Sequence, residues 1–223
     1  MIRWFWLACL CAAPAFAEDA RPYGLERPTD FTLAFTQHDF DLARGSDRID
    51  TTLKRIGVHW RERYGKHVRL GLLGGYSYLT QTGEPLTAGE QLDGYHAGVS
   101  IDFDAPLSSS FSFFAGASYL YERTDDANDL QDVTLSWNVY YAETGIAVAV
   151  PGAARFYAGF NYGDLDGDQR ARGAVTETRD LSVDDRSGAL GGVEVTLDGD
   201  GYAGLVARSG LYGGAGIYFG RRF

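Results

Sequence analysis

Ten ionisable residues stand at positions that alternate mainly with apolar residues along the chain. They are six basic or imidazole residues and four acids: Arg55, His59, Arg61, Arg69, His96 and Arg222, with Asp102, Glu122, Glu143 and Glu194. Alternate positions of a β-strand share one face, so we expect these side chains to face the inside of a closed sheet. An isolated ion in a narrow interior is costly, which predicts ion pairs between the two sets. We therefore predict a polar network that plugs the interior, with a narrow path for ions or small solutes as the alternative.

Hydrolytic chemistry would require a serine beside a histidine, or paired aspartates near a histidine. His96 and Ser100 are four residues apart on one predicted strand face. This spacing is about 13 Å along a strand, so the two cannot bond directly. His59 could meet Ser100 only across neighbouring strands. Omptin-like proteases need an Asp pair and an Asp–His pair, and His38-Asp39 and Asp125-Asp126 supply the residue types without the pattern. We expect no catalytic residues, with an outer-membrane lipid hydrolase or protease as the less favoured reading.

The segment Asp164-Leu165-Asp166-Gly167-Asp168 has the acidic spacing with which a calcium-binding loop begins. The twelfth position of that motif is a bidentate Glu, and here it is Val175. A solvated turn is the better interpretation, so we predict neither a metal site nor a cofactor.

The elements that position these residues are β-strands, because apolar residues recur with a period of two along the chain. We predict ten strands: Asp30–His38, Thr52–Arg63, His67–Thr80, Leu92–Asp104, Phe111–Arg123, Val133–Val150, Arg155–Asp164, Ser187–Leu197, Tyr202–Arg208 and Leu211–Phe223. Eight strands are the alternative. The apolar residues of the sixth strand change parity between Trp137 and Ile146. This change predicts a bulge near Tyr140–Thr144, or an upper part that projects beyond a bilayer.

Short turns and long polar loops alternate between these strands, with long loops at residues 41–50, 81–91, 124–132 and 165–186. Such alternation is typical of an up-and-down barrel with two unequal rims. The face opposite the ionisable residues is apolar, with tyrosines toward the long loops and Trp60, Phe103 and Phe156 toward the short turns. Many of the 29 glycines lie on the ionisable face and cannot build an apolar core. Two aromatic girdles around an apolar band predict a membrane barrel, with a soluble β-sandwich or lipocalin-like barrel as the alternative.

The first 17 residues have the layout of a secretory signal peptide. Arg3 precedes an apolar stretch, and Ala15-Phe16-Ala17 provides a small-x-small cleavage site. We predict residues 1–17 to be the signal peptide and residues 18–223 to form a single barrel domain. Both cysteines, Cys9 and Cys11, precede the cleavage site, so the mature chain would contain none.

The last predicted strand alternates apolar residues and ends with Gly220-Arg221-Arg222-Phe223. This ending resembles that of the small outer-membrane β-barrel proteins of Gram-negative bacteria, the group that includes OmpA-type and opacity-type barrels. The resemblance implies an all-β fold, a closed antiparallel up-and-down transmembrane β-barrel. It also implies an assembly signal at Phe219 and Phe223, which the outer-membrane assembly machinery would read.

The net charge of the chain and its predicted location in the outer membrane limit the functions that we expect. With 20 Lys+Arg against 30 Asp+Glu, the formal net charge is −10, which is unsuited to binding nucleic acid. We predict a monomer in the bacterial outer membrane, with outer-membrane lipid, lipopolysaccharide and the assembly machinery as its partners. The predicted role is structural or a surface interaction, with a narrow channel or porin as the alternative.

Overall fold

The computed structural model describes residues 28–44, 47–84, 86–87, 91–127, 131–198 and 200–223, so the predicted signal peptide lies outside the described residues. Within these ranges lie eleven β-strands: β1 (Thr29–Arg44), β2 (Asp47–Tyr64), β3 (Val68–Thr82), β4 (Gln91–Pro106), β5 (Phe111–Ala127), β6 (Gln131–Val150), β7 (Ala154–Gly173), β8 (Glu177–Val183), β9 (Ser187–Asp198), β10 (Gly201–Arg208) and β11 (Gly214–Arg222). The described ranges hold no helix that is long and apolar enough to cross a membrane.

Ten of these strands close into a ring, which we call the lower ring. Strands β1 to β7 pair in chain order, β9 pairs with β7, and β10 and β11 follow. The ring closes where β11 pairs with β1, from Asp30↔Arg222 to His38↔Gly214. All of these pairs are antiparallel. The predicted ten-stranded, closed, up-and-down barrel is therefore confirmed.

A second, narrower ring stands above the first and is formed by β1 to β8. Strand β8 pairs with β7 from Gly167↔Leu181 to Ala171↔Glu177, and with β1 at Leu42↔Val183. The prediction of a long loop over residues 165–186 was wrong, because β7 continues to Gly173 and β8 returns along it. The predicted loops at 41–50 and 124–132 were also too long, because β1 reaches Arg44, β2 begins at Asp47, β5 reaches Ala127 and β6 begins at Gln131. β10 and β11 reach their upper ends at Arg208 and Gly214, and β8 pairs with the exposed edges of β7 and β1 above them. We call this eight-stranded part the upper ring.

Strand β6 keeps one parity along its whole length. Its register is continuous with β5 and with β7, so the predicted bulge at Tyr140–Thr144 was wrong. Val139 and Tyr141 face inward together with Trp137, whereas Tyr140 and Ile146 face outward. The change of pattern instead arises because the polarity of the two faces reverses along the strand, as the projecting alternative predicts.

The buried apolar core lies inside the upper ring. Its larger members come from seven strands of that ring: Leu42, Ile49, Leu53, Leu79, Leu92, Leu135, Trp137, Leu165 and Leu181. In the lower ring the large apolar residues face outward, as Trp60, Leu72, Ile101 and Phe156 do. The barrel is therefore apolar outside and polar inside in its lower part, and apolar inside in its upper part.

The turn between β10 and β11, residues 209–213, folds into the barrel. Leu211 and Tyr212 are only 0% and 6% exposed and belong to the core of the upper ring. The sequence predicted that the terminal strand begins at Leu211. This was wrong, because β11 begins at Gly214. Gly210 has a φ of +84°, which favours glycine, and its carbonyl accepts a hydrogen bond from the amide of Gly213 at 2.8 Å. The turn therefore forms the lower end of the apolar core, where Tyr212 contacts Arg55 of the polar interior.

Candidate functional site

The candidate site is the polar interior of the lower ring. The structure places all ten ionisable residues selected from the sequence on its inner face. Their bonding partners differ in part from those expected. Arg55 contacts Glu122 and Glu194 contacts Arg222, so these two pairs lie within the selected set. Glu143 instead contacts Arg208, and Arg61 and Arg69 contact Asp30; neither Arg208 nor Asp30 was selected.

Asp30 is the centre of the lowest polar layer. Its carboxylate accepts a hydrogen bond from the hydroxyl of Tyr202 at 2.6 Å. Arg69, Arg61 and Arg222 contact the same carboxylate at 2.8, 3.2 and 3.6 Å. Asp30 is 1% exposed, so its charge depends on these partners instead of water. The layer joins β1, β2, β3, β10 and β11.

Further ion pairs connect the remaining strands around the lumen. Arg222 contacts Glu194 at 2.6 Å, and its guanidinium lies 4.1 Å from the ring centre of Tyr202. Arg155 contacts Asp104 at 2.5 Å, joining β7 to β4. These groups surround a cavity of about 290 Å³, whose lining contains five arginines and five carboxylates. The lining therefore contains equal numbers of guanidinium and carboxylate groups, and most of them are directly paired.

Arg55 forms the upper polar layer. It makes a hydrogen-bonded ion pair with Glu122, which is fully buried, and so links β2 to β5. It also donates a hydrogen bond to the hydroxyl of Tyr212 at 2.7 Å, and its guanidinium lies 4.4 Å from the centre of that ring. Because Tyr212 belongs to the turn at residues 209–213, this layer fastens the turn across the lumen.

His59 and Ser100 meet across one intervening strand. The Nε2 atom of His59 lies 2.8 Å from the Oγ atom of Ser100, and this hydroxyl lies 3.4 Å from a carboxylate oxygen of Asp102. Gly71 of β3 makes the contact possible, because a Cβ atom there would lie 2.4 Å from both bonded atoms. In a Ser–His–Asp triad the carboxylate orients the imidazole. Here it contacts the serine, so the group is a hydrogen-bond chain without triad geometry.

The other histidines of the interior have structural contacts. Nδ1 of His96 lies 3.0 Å from the hydroxyl of Ser77, and the imidazole occupies space beside Gly57 and Gly75. Nδ1 of His38 lies 3.2 Å from the backbone carbonyl of Tyr212. These contacts account for the position of both rings.

The protease-like and calcium-like patterns of the sequence are not assembled into sites. His38 faces inward and Asp39 outward, and Asp125 and Asp126 likewise point to opposite faces of β5. The segment 164–168 lies within β7 and forms no turn. Among the residues that the structure describes, no group of three or more His, Cys, Asp or Glu side chains could hold a metal ion.

The residues of the predicted assembly signal lie on the outer face of the barrel. Phe219 and Phe223 are both exposed large hydrophobic residues. The backbone of Phe223 bonds to Thr29 in both directions, at 2.8 and 3.3 Å, so the end of β11 is held against the start of β1. Neither aromatic ring belongs to the buried core.

Several interior residues were missed from the sequence although a signal was present. Asp30 alternates with the outward residues Phe31 and Phe35, and therefore has inward parity in its own strand. Asp104, Arg155, Arg208 and Tyr202 also have inward parity within predicted strands. Continuing the alternation to the strand ends would have found all five.

No protein-family model matches the sequence, and no curated protein matches it. Solved structures do match its fold. The translocator domain of the autotransporter NalP from Neisseria meningitidis is 11% identical, with a TM-score of 0.55, and the match covers 90% of this chain and 91% of that one. The outer membrane protease OmpT from Escherichia coli is 10% identical, with a TM-score of 0.52, over 89% and 97% of the two chains. At such identities the likeness shows a common fold, that of outer-membrane β-barrels.

Proposed function

We propose that this chain is an integral β-barrel of the bacterial outer membrane, with a closed lumen and a structural or surface-interaction role. Its location is supported by the outward apolar residues of the lower ring, such as Leu72, Ile101 and Phe156, which water would not favour. A closed ring also leaves no unpaired strand edge in the hydrocarbon. The narrower likeness to OmpA-type and opacity-type barrels rests on the chain ending alone and stays part of the proposal.

The observation that supports closure is the apolar core of the upper ring. Eight strands enclose a space that side chains just fill, and here Trp137 and several leucines fill it. Directly below, Arg55 donates hydrogen bonds to both Glu122 and Tyr212 across the lumen. An ion crossing this region would lose its water without gaining partners in the core. The plugged lumen is therefore favoured over the narrow channel.

The surface role is supported by the outer wall of the upper ring. Asp41, Asp166 and Asp180 are exposed there, on strands that continue beyond the apolar band of the lower ring. The upper ring would thus stand outside the bilayer as a rigid polar projection. A catalytic role is not part of the proposal, because Asp102 is placed to contact Ser100 instead of His59. We further propose that the barrel is a monomer that uses the assembly machinery for insertion.

Planar-bilayer recording of the refolded protein tests the closed lumen. The wild-type protein is expected to give no stable unit conductance. Trp137→Ala, which removes a side chain that is 1% exposed, should permit brief openings. The control Tyr140→Ala removes an aromatic ring that faces outward on the same strand, so the lumen of this variant should stay closed. A stable unit conductance in the wild-type protein would instead support the channel.

A further inference from the structure

The outward tyrosines do not continue around the whole barrel. Tyr78 of β3 is aligned by strand register with Lys54 of β2, which in turn is aligned with Gln37 of β1. Beyond Gln37 the same row continues to Ala215, Ala207 and Gly191 on β11, β10 and β9. These positions lie at the upper ends of β10 and β11, where the lower ring meets the upper ring. Small outward residues therefore replace aromatic ones on this side.

A shallow groove of about 1020 Å³, widely open to the surroundings, follows this row on the outer surface. Its floor contains Gly191, Ala207 and Ala215. The adjacent row of outward residues forms a continuous apolar wall, and it is made by residues of five strands: Ile56, Phe35, Ile217, Leu205 and Val193. The groove is therefore elongated and apolar, with its floor at the upper edge of the lipid-facing belt and its wall within the belt.

One end of the groove is polar and contains a lysine. Lys54, Gln37 and Tyr78 line it there and offer hydrogen-bond donors. Within the described part of the chain Lys54 has no ion-pair partner. The nearest carboxylate along β1, that of Asp39, accepts hydrogen bonds from Thr52 and Gln37 at 2.8 and 3.4 Å and does not line the groove. The carboxylate of Asp93, which is aligned with Tyr78, accepts a hydrogen bond from Gln91 at 3.2 Å and also does not line it. A long apolar slot that ends at a free ammonium group matches an acyl chain attached to a phosphate.

We propose that this groove binds a phosphorylated glycolipid of the outer leaflet, with one acyl chain along the floor and a phosphate at Lys54. The inference rests on the proposed membrane location. Tyr78 belongs to the tyrosines at the upper edge of the apolar belt, which is the level of lipid headgroups. A lysine at that level can extend its flexible stem to place its charge among phosphates. Apolar contact holds the chain, and the charge selects an anionic headgroup.

Native mass spectrometry of the refolded, detergent-solubilised protein tests this proposal. The probes are diphosphoryl lipid A, the same lipid A without phosphates, phosphatidylglycerol and phosphatidylcholine. We expect one diphosphoryl lipid A to be retained at the lowest concentration. Lys54→Ala should weaken its binding about tenfold, as expected for one charge-assisted contact, whereas Lys54→Arg should restore it. Ala207→Trp fills the groove and should prevent retention, whereas Ala142→Trp, an outward residue of β6 away from the groove, should not.

Heat-dependent migration on SDS gels is measured on every sample. This measurement distinguishes a protein that has not folded into a barrel from a folded barrel that does not bind the lipid. A protein that does not migrate as a folded barrel would contradict the proposed function. The proposed lipid site would be overturned if a folded barrel retained all four lipids equally. It would also be overturned if neither Lys54→Ala nor Ala207→Trp changed lipid retention. Stronger retention of phosphatidylglycerol would place a phospholipid there and also overturn it. A dimer that dissociates with Ala207→Trp would show that a second copy occupies the groove.

Discussion

Burial decides how much each ion pair of the interior contributes to stability. The side chains of Arg55 and Glu122 are 10% and 0% exposed, whereas those of Arg208 and Glu143 are 24% and 25% exposed and line the 290 Å³ cavity. Removing one partner of a dry pair leaves an uncompensated charge. Where water reaches the remaining charge, the loss is much smaller.

We therefore expect Glu122→Gln to lower the free energy of unfolding by about 3–5 kcal/mol. Glu143→Gln should lower it by about 1 kcal/mol or less, because the cavity can hydrate Arg208. Urea unfolding of both variants in lipid vesicles measures the difference. Equal losses would mean that water reaches Arg55 as readily as Arg208, and the upper polar layer would then not close the lumen.

Inward glycines provide the space that large polar side chains of neighbouring strands occupy. A Cβ atom at Gly71 would lie 2.4 Å from both His59 and Ser100, and the hydrogen bond between them could not form unchanged. Gly71→Ala is expected to destabilise the barrel by about 1–3 kcal/mol through overpacking. In the control Gly191→Ala, the new Cβ would lie 3.6 Å from its nearest neighbour and should change stability little. Urea midpoints of the two variants test this, and similar midpoints would contradict it.

At this scale the sequence predicts which way a side chain points more readily than what it touches. Strand parity identified Arg61 and Arg69 as inward residues, but not Asp30 as their shared partner. Strand parity is local, because it follows from alternation within one segment. A pairing across the lumen depends on the tilt and stagger of every strand around the ring, which no single segment contains.

Among the elements, β8 decides whether the upper ring is closed. Leu181 is buried in the core and pairs with Gly167 of β7, whereas Asp180 beside it faces outward. Leu181→Asp buries a charge without a partner and should release β8 while the lower ring stays intact. Limited proteolysis should then cut between β7 and β9 in a barrel that still migrates as folded, whereas Asp180→Asn should remain resistant. Resistance of both variants would show that β8 is not needed to protect this segment.

The terminal strand is expected to matter more for assembly than for stability. Phe223 is exposed and outside the core, so Phe223→Ala removes only an outer contact, worth about 1–3 kcal/mol. Its yield in the outer membrane of cells should nevertheless fall sharply, while refolding into detergent survives. Phe111→Ala, which removes another exposed aromatic from the outer face, is the control and should keep its yield. Normal yield of Phe223→Ala would remove the argument for an assembly signal.

The strands of the lower ring could be predicted from the sequence because lipid outside and polar groups inside enforce a clear alternation. The strand segments of the upper ring resemble loops in sequence for a physical reason. In β7 the outward residues Asp164, Asp166 and Asp168 would face water, so the segment carries the charges that are typical of a loop. Its inward residues, such as Leu165, still alternate with them. The reversed polarity concealed both the upper half of β7 and its partner β8.

At the scale of the whole molecule, one chain combines two kinds of barrel along a common axis. Seven strands run through both rings, so the inner parity is continuous. In the proposed membrane location, the surroundings of these strands would change from lipid to water. A polar interior suits the ring that is stabilised from outside by lipid. An apolar interior suits the ring that must fold against water, where burial of apolar surface supplies the stability. Under the proposed location, the step from ten strands to eight would mark the boundary between the two environments.

This arrangement predicts which residues a reagent can reach from outside the cell. The mature chain is expected to contain no cysteine, so a single introduced thiol reports one position. Asp180→Cys lies on the outer wall of the upper ring, and Leu107→Cys lies in the exposed turn between β4 and β5 at the opposite end of the barrel. In intact cells a membrane-impermeant maleimide should label Asp180→Cys and not Leu107→Cys. After the outer membrane is permeabilised, both should react. Labelling of Leu107→Cys alone in intact cells would mean that the barrel is inserted in the opposite orientation, with the upper ring in the periplasm.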